Sequence, residues 1–283
     1  MLQYTLNPYA CQSGFSLINY YTMAVVIAIA NQKGGVGKTT TAVNIAASMA
    51  AAGKYVLLID LDSQANATSG LGIDHKTLET SIYDALLGRS TMRSVIQPTN
   101  YTGLKIAPAH SALAGAQVEL VEIDRREHRL TDALLEVRND YDVILLDCPP
   151  SLGLITVNAF TAADAVLIPV QAEYYALEGL GQLLETVALV KENLNPKLEI
   201  MGAVITMFDG RVRLSQSVLE ELYKYFPNKI FRSVIPRTVR LAEAPSFGQA
   251  IISYDPGSKA SSAYERLSRE LIEAIEDRLK LEL

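Results

Sequence analysis

The sequence predicts an α/β fold: a doubly wound, mostly parallel sheet flanked by helices. Three observations carry this. Apolar runs of strand length (25–30, 55–59, 143–146, 165–170, 200–206, 230–235) are separated by helix-length stretches. The first run opens into a glycine-rich loop that leads straight into an alanine-rich helical stretch, 41–52. Two further runs end in aspartate, Asp60 and Asp147, and the carboxyl ends of parallel strands are where such sheets bind ligands.

The loop is Asn31-Gln32-Lys33-Gly34-Gly35-Val36-Gly37-Lys38-Thr39-Thr40. Between a strand and a helix, glycines let backbone N–H groups close on phosphates, and the helix N-terminus adds its dipole. The spacing departs from the usual phosphate-loop pattern at Gln32, where glycine is expected. In its place comes a second lysine, Lys33. One lysine suffices for the β- and γ-phosphates of one nucleotide, so Lys33 needs a phosphate contact of its own or a partner molecule's.

Composition bounds the alternatives. The chain has 283 residues, 49% hydrophobic and 20% charged, enough for one large α/β domain or two small ones; one domain over 23–283 is expected. No run approaches the roughly 18 apolar residues of a membrane span. Two cysteines, Cys11 and Cys148, provide neither a disulfide framework nor paired metal spacing, which fits a reducing cytoplasm. His75, His110 and His128 lie in no ligand spacing. The net charge is −6, yet residues 205–240 hold seven basic residues (Arg211, Arg213, Lys224, Lys229, Arg232, Arg237, Arg240) against three acidic. That is either a phosphate-binding face or a solvated mixed-charge surface.

Along the chain, residues 1–22 contain no lysine or arginine and scattered apolar residues, so they resemble no targeting peptide. They form a loosely ordered arm, or the true start is Met23. Gly53 stops the first helix, and the second strand runs into Asp60-Leu61-Asp62. Alternate residues on a strand face opposite ways, so Asp62 is placed in the loop, beside the γ-phosphate, where it orients or deprotonates a water; a loop carboxylate capping a turn is the plainer alternative. Residues 82–87 read as helix, and 112–138 as one long amphipathic helix with a charged middle. Asp147, closing the next strand, is the type of carboxylate that holds magnesium opposite the Thr39 hydroxyl. Pro149 and Pro150 stiffen the segment beyond it, and Cys148 reads as a packing residue. Residues 177–192 read as helix, and 258–281 as a terminal helix with Leu267, Leu271, Ile275 and Leu279 on one face. From Glu265 to Glu282 that helix carries four basic against six acidic residues, unsuited to an anionic membrane.

Lys-Gly-Gly-Val-Gly-Lys-Thr-Thr closely resembles the deviant phosphate loop of the ParA/MinD/nitrogenase-iron-protein class of ATPases, in which the extra lysine reaches across a nucleotide-sandwich dimer. Asp60-Leu61-Asp62-Ser63-Gln64-Ala65-Asn66 resembles the first switch of the ParA type, with Ser63 where proline is usual. Residues 235–246 resemble the chromosomal Soj/ParA branch, differing from its usual form at Thr238 and Ala242. The resemblance runs from Met23 to the C-terminus and implies a partition ATPase of chromosome or plasmid that uses ATP and Mg2+ and is associated with nucleoid DNA in the cytoplasm. By the same resemblance, Lys33, Gly34, Gly35, Val36, Gly37, Lys38, Thr39 and Thr40 hold the nucleotide, and Pro236 and Thr238 lie beside the adenine. Lys33, Lys38 and Asp62 act in catalysis, and Thr39 and Asp147 hold the metal. Arg211 and Arg240 bind nonspecific double-stranded DNA in an ATP-bound homodimer, and a ParB-type partner accelerates hydrolysis. A MinD-like membrane-cycling ATPase and a cargo-positioning ATPase are the alternatives of the same class; a redox role would need clustered cysteines.

Overall fold

Residues 25–29, 56–60 and 143–147 are buried at every position. Strands apolar on both pleated faces need cover on both, which places them inside a sheet with helices above and below. The computed structural model describes residues 23–173, 179–211 and 221–281. The 1–22 arm, Cys11, the start of the expected 177–192 helix and Arg213 therefore lie outside the described residues.

The strands are β1 (Val25–Ile29), β2 (Val56–Asp60), β3 (Gln97–Pro98), β4 (Leu104–Ala107), β5 (Val143–Asp147), β6 (Ala165–Gln171), β7 (Glu199–Phe208) and β8 (Ile230–Pro236). They form one sheet in the order β3-β4-β2-β5-β1-β6-β7-β8. Every pairing is parallel except the two-residue β3 against β4. From β1 the chain steps over one place to β2, later fills the gap with β5, and then builds outward on the other side with β6. The strand order thus reverses beside β1, and the crevice beyond its carboxyl end is where a doubly wound sheet binds ligand.

The pleat divides the core. Val26 and Ala28 join Leu146, Phe160 and Leu183 on one side, while Val25, Ile27 and Ile29 join Ile45, Met49, Leu267 and Leu271 on the other. The second side is covered by α1 (Lys38–Ala51) and the terminal helix Lys259–Leu281. Leu267 and Leu271 are fully buried there, each contributing roughly 1.5–3 kcal/mol of apolar transfer. The predicted stripe of the terminal helix is therefore core packing.

The long helix expected over 112–138 is broken. Helix Leu113–Glu119 ends in a 3-10 turn, Arg125 takes a left-handed conformation (φ 55°), and helix resumes only over Arg129–Leu134. The break is held by Asn158, buried on the neighbouring helix Leu154–Ala162: its Oδ1 accepts from Leu130 N and its Nδ2 donates to the Arg126 carbonyl. A tertiary partner for these backbone groups outweighs helical continuity.

Gly248 closes the segment after β8 with φ 63°, and a Cβ there would stand 2.6 Å from the Cα of Gly72. Gly248→Ala is expected to destabilise the chain by roughly 2 kcal/mol or more, measured as a lowered urea midpoint. An unchanged midpoint would contradict this close backbone approach.

Candidate active site

The loop between β1 and α1 is shaped by glycine and pinned by distant strands. Gly35 and Gly37 adopt φ of 74° and 89°, a region that costs other residues strain. Asn31, buried, donates from Nδ2 to the Pro169 carbonyl in β6 and accepts from Lys33 N on Oδ1. Thr206 in β7 donates to the Val36 carbonyl at 2.7 Å. No side chain caps α1 and no acidic residue lies in its first turn, so its positive N-terminal end is left unopposed.

Beneath the loop lie opposite charges out of water. Lys38 is buried and donates from Nζ to the Lys33 carbonyl at 3.1 Å. Burial lowers its pKa, with Asp147 the foremost opposing influence. Asp147, at the end of β5, is fully buried, and neither carboxylate oxygen has a partner with hydrogen-bond geometry. Burial, then the charge of Asp60, hold its carboxyl well above the ordinary range; the Thr39 hydroxyl and Lys38 pull the other way. A buried carboxylate with both oxygens unsatisfied is costly unless a cation meets it, so this donor set fits a hard divalent ion beside Thr39. Cys148, buried next to it with its thiol pushed up by burial, packs as expected.

β2 ends at Asp60, so the two aspartates part as the alternation argument requires. Asp60 is fully buried and structural: Oδ1 accepts from Asp62 N, and Oδ2 accepts from both N and Oγ1 of Thr68. Burial raises its pKa to about 6. Asp62 stands in the loop beyond, accepting from Gln64 N on Oδ1, near enough to Lys38 to influence it. No local pattern signals the Asp60–Thr68 clasp, because Thr68 lies on the short helix Asn66–Gly70 past the turn.

On the other flank of α1 a cavity of about 380 Å³ is lined by Gly37, Thr40, Thr206, Met207, Ile235, Pro236, Arg237, Thr238, Val239, Leu241, Ala242 and Tyr264. Pro236 and Thr238 are thus brought beside the loop, with a mainly apolar wall suited to a planar base. Tyr264 comes from the terminal helix, and its hydroxyl lies 3.3 Å from that of Thr41 in α1. Its spacing places it on the stripe of Leu267, Leu271 and Ile275 and so marks it as core, but no motif marks it as a cavity residue.

Lys33 stands at the rim with its side chain 32% exposed and its Nζ 3.8 Å from Glu173. Arg211, 90% exposed, is paired with Asp209 through Nε and Nη2. Arg240, 54% exposed, reaches Glu243 at 3.0 Å and Asp255 at 3.7 Å. Both arginines are on the surface, but each has a carboxylate that an incoming anion must displace. No group of three or more potential metal-ligating side chains occurs among the described residues.

Since burial penalises the ionised form of Asp147, its pKa is higher folded than unfolded. Its contribution to stability is then intact below the unfolded value and lost as pH rises. Asp147→Asn removes the buried ionisation but also a charge that supports Lys38, so its effect on stability in metal-free buffer is expected to be more favourable at about pH 7.5 than near pH 4. Urea titrations showing equal effects at both pH values would exclude the orphaned carboxylate as the cause.

Comparison with known proteins agrees with this geometry. The family model of an AAA domain matches residues 24–200. The sporulation initiation inhibitor protein Soj of Bacillus subtilis is 53% identical over 249 residues, covering 88% of this chain and 98% of Soj. The chromosome partitioning protein ParA of Myxococcus xanthus is 52% identical over 251 residues, 89% of each chain. Among solved structures, cobyrinic acid a,c-diamide synthase from Mycobacterium smegmatis, with bound ADP and magnesium, superimposes with a TM-score of 0.79 at 37% identity over 88% of this chain and 94% of that one. Loop, buried aspartate and sequence relatives agree: the chain belongs to the ParA/Soj family of chromosome-partitioning proteins.

Proposed function

We propose that the chain is a dimerising ATPase that binds DNA nonspecifically in its ATP state and partitions chromosome or plasmid DNA at the nucleoid. The observation that carries this reading is the division of labour between two lysines of one loop. Lys38 is buried under the loop, whereas the Lys33 side chain is at the rim and about a third exposed, which supports a role for Lys38 toward a nucleotide in the same chain and for Lys33 toward a second copy.

In this reading the loop residues Gly34 to Thr40 present N–H groups and the α1 dipole to the β- and γ-phosphates, and Lys38 neutralises their charge. The base enters the cavity walled by Pro236 and Thr238. Thr39 and Asp147 hold magnesium, whose charge supports the phosphate oxygens. Phosphoryl transfer depends chiefly on positioning and charge, so Asp62 need only accept a hydrogen bond from the water that attacks the γ-phosphorus as the bond to ADP breaks. A single carboxylate without further base apparatus makes the unassisted reaction slow, which leaves room for a ParB-type partner to accelerate it. The Lys33 of each copy neutralises the other's triphosphate, so occupancy is linked to pairing. Arg211 and Arg240 meet DNA phosphates by salt-dependent contacts that need no base readout. No helix among the described residues is long and apolar enough to cross a membrane, and the acidic balance of the terminal helix disfavours a membrane-surface cycle.

DNA binding measured with ATP, ADP and no nucleotide tests this. Binding is expected only with ATP, to fall at least tenfold with Lys33→Ala, and to persist longer with Asp62→Ala. Equal binding under all three nucleotide conditions refutes the reading. Arg240→Ala is expected to weaken binding uniformly across sequences and to lower the slope of log affinity against log salt by about one per arginine lost at the interface. An unchanged salt slope removes Arg240 from the DNA surface.

A further inference from the structure

We infer that Glu173 is a positioning residue for Lys33: in the unpaired chain it occupies the amine that a second copy's phosphate must claim, and so sets the concentration at which ATP-bound chains pair. The inference rests on reading Lys33 as a contact to the partner's triphosphate.

Glu173 sits two residues past the end of β6, in a turn where its N donates to the Gln171 carbonyl. Its carboxylate is shared unequally. Oε1 takes Arg237 Nη2 at 2.7 Å, whereas Oε2 is 3.8 Å from Lys33 Nζ. Arg237 follows β8 directly, donates its N to the Phe208 carbonyl, and joins Pro236 and Thr238 in lining the base cavity. One carboxylate therefore ties the loop after β1 to the base-side segment after β8.

The inequality matters. The shorter bond to Arg237 keeps Glu173 in place, and the longer contact to Lys33 is the one that gives way. The backbone of Lys33 cannot follow, since its N donates to Asn31 Oδ1 and its carbonyl accepts from Lys38 Nζ. Only the side chain is left to swing. A carboxylate beside an ammonium imitates a phosphate oxygen in charge and hydrogen bonding, so the two compete for one donor group. The contact is partly exposed, which limits its effect on any equilibrium to a few-fold.

Glu173→Gln keeps the shape and removes the charge. Two measurements test it, both on the full chain. In nucleotide-free protein, acylation of Lys33 by an amine-reactive ester, followed by mass spectrometry, is expected to speed up about threefold relative to the exposed Lys105, whose rate serves as the internal standard. In an Asp62→Ala background with ATP, sedimentation is expected to show pairing about three- to fivefold tighter with Glu173→Gln than without. A purely structural Glu173 would leave relative Lys33 labelling unmoved and would weaken pairing, if it changed it. Unchanged labelling overturns the inference, as does faster labelling with unchanged or weaker pairing. If the Asp62→Ala protein with intact Glu173 does not pair with ATP at all, the functional reading falls instead, and the labelling rate still decides whether Glu173 holds Lys33.

Discussion

Everything at the carboxyl edge of the sheet depends on a buried carboxylate that the protein leaves unsatisfied. Asp147 lies at the end of a central strand with both oxygens unpartnered, beside a buried Lys38 that stops short of pairing with it. In a chain selected for stability alone, such a group would be bonded or replaced by an apolar residue. Its persistence makes the crevice an electrostatic socket, able to take a cation and the anion that travels with it. The flanking glycine loop supplies the complementary half: backbone donors without side-chain caps at the positive end of a helix.

Holding such a socket open requires rigidity around it, and the rigidity comes from elsewhere in the sheet. Asn31 ties the loop to β6, Thr206 ties it to β7, and Asp60 anchors the turn beyond β2 through Thr68. The two aspartates of the second motif thus differ in kind. Asp60 commits both its oxygens to the scaffold, while Asp62, two residues further, leaves one oxygen without a scaffold role. A similar difference between a committed and an uncommitted side chain recurs with the two lysines. Lys38 is fixed inside, and Lys33 has a fixed backbone with a side chain at the surface.

Elements built from a strong local pattern were legible. The buried strands read as apolar runs, the terminal helix as a stripe at helical spacing, and the loop as glycine punctuation between strand and helix. Helix Leu154–Ala162 was not, because it is buried nearly all round and shows no polar face to betray its period. The reverse error, one helix over 112–138, arose because amphipathic spacing continues across a break that Asn158 imposes from another element. For the candidate site, the loop, Asp62, Asp147, Pro236 and Thr238 could be named from motif and resemblance. Their counter-groups could not.

The amino-acid sequence by itself determined the strands, the glycine loop and the aspartates that end two of the strands, since each is encoded within a few consecutive residues. Only the tertiary structure decided that Asp147 is orphaned, that Asp60 is consumed by Thr68, that Tyr264 lines the cavity beside Gly37, and that Glu173 stands between Lys33 and Arg237. The physical reason is the strand order. Reversal beside β1 sets β5 and β6 against it, and with them positions more than a hundred residues apart, and burial at that junction then sets the charge state of each group.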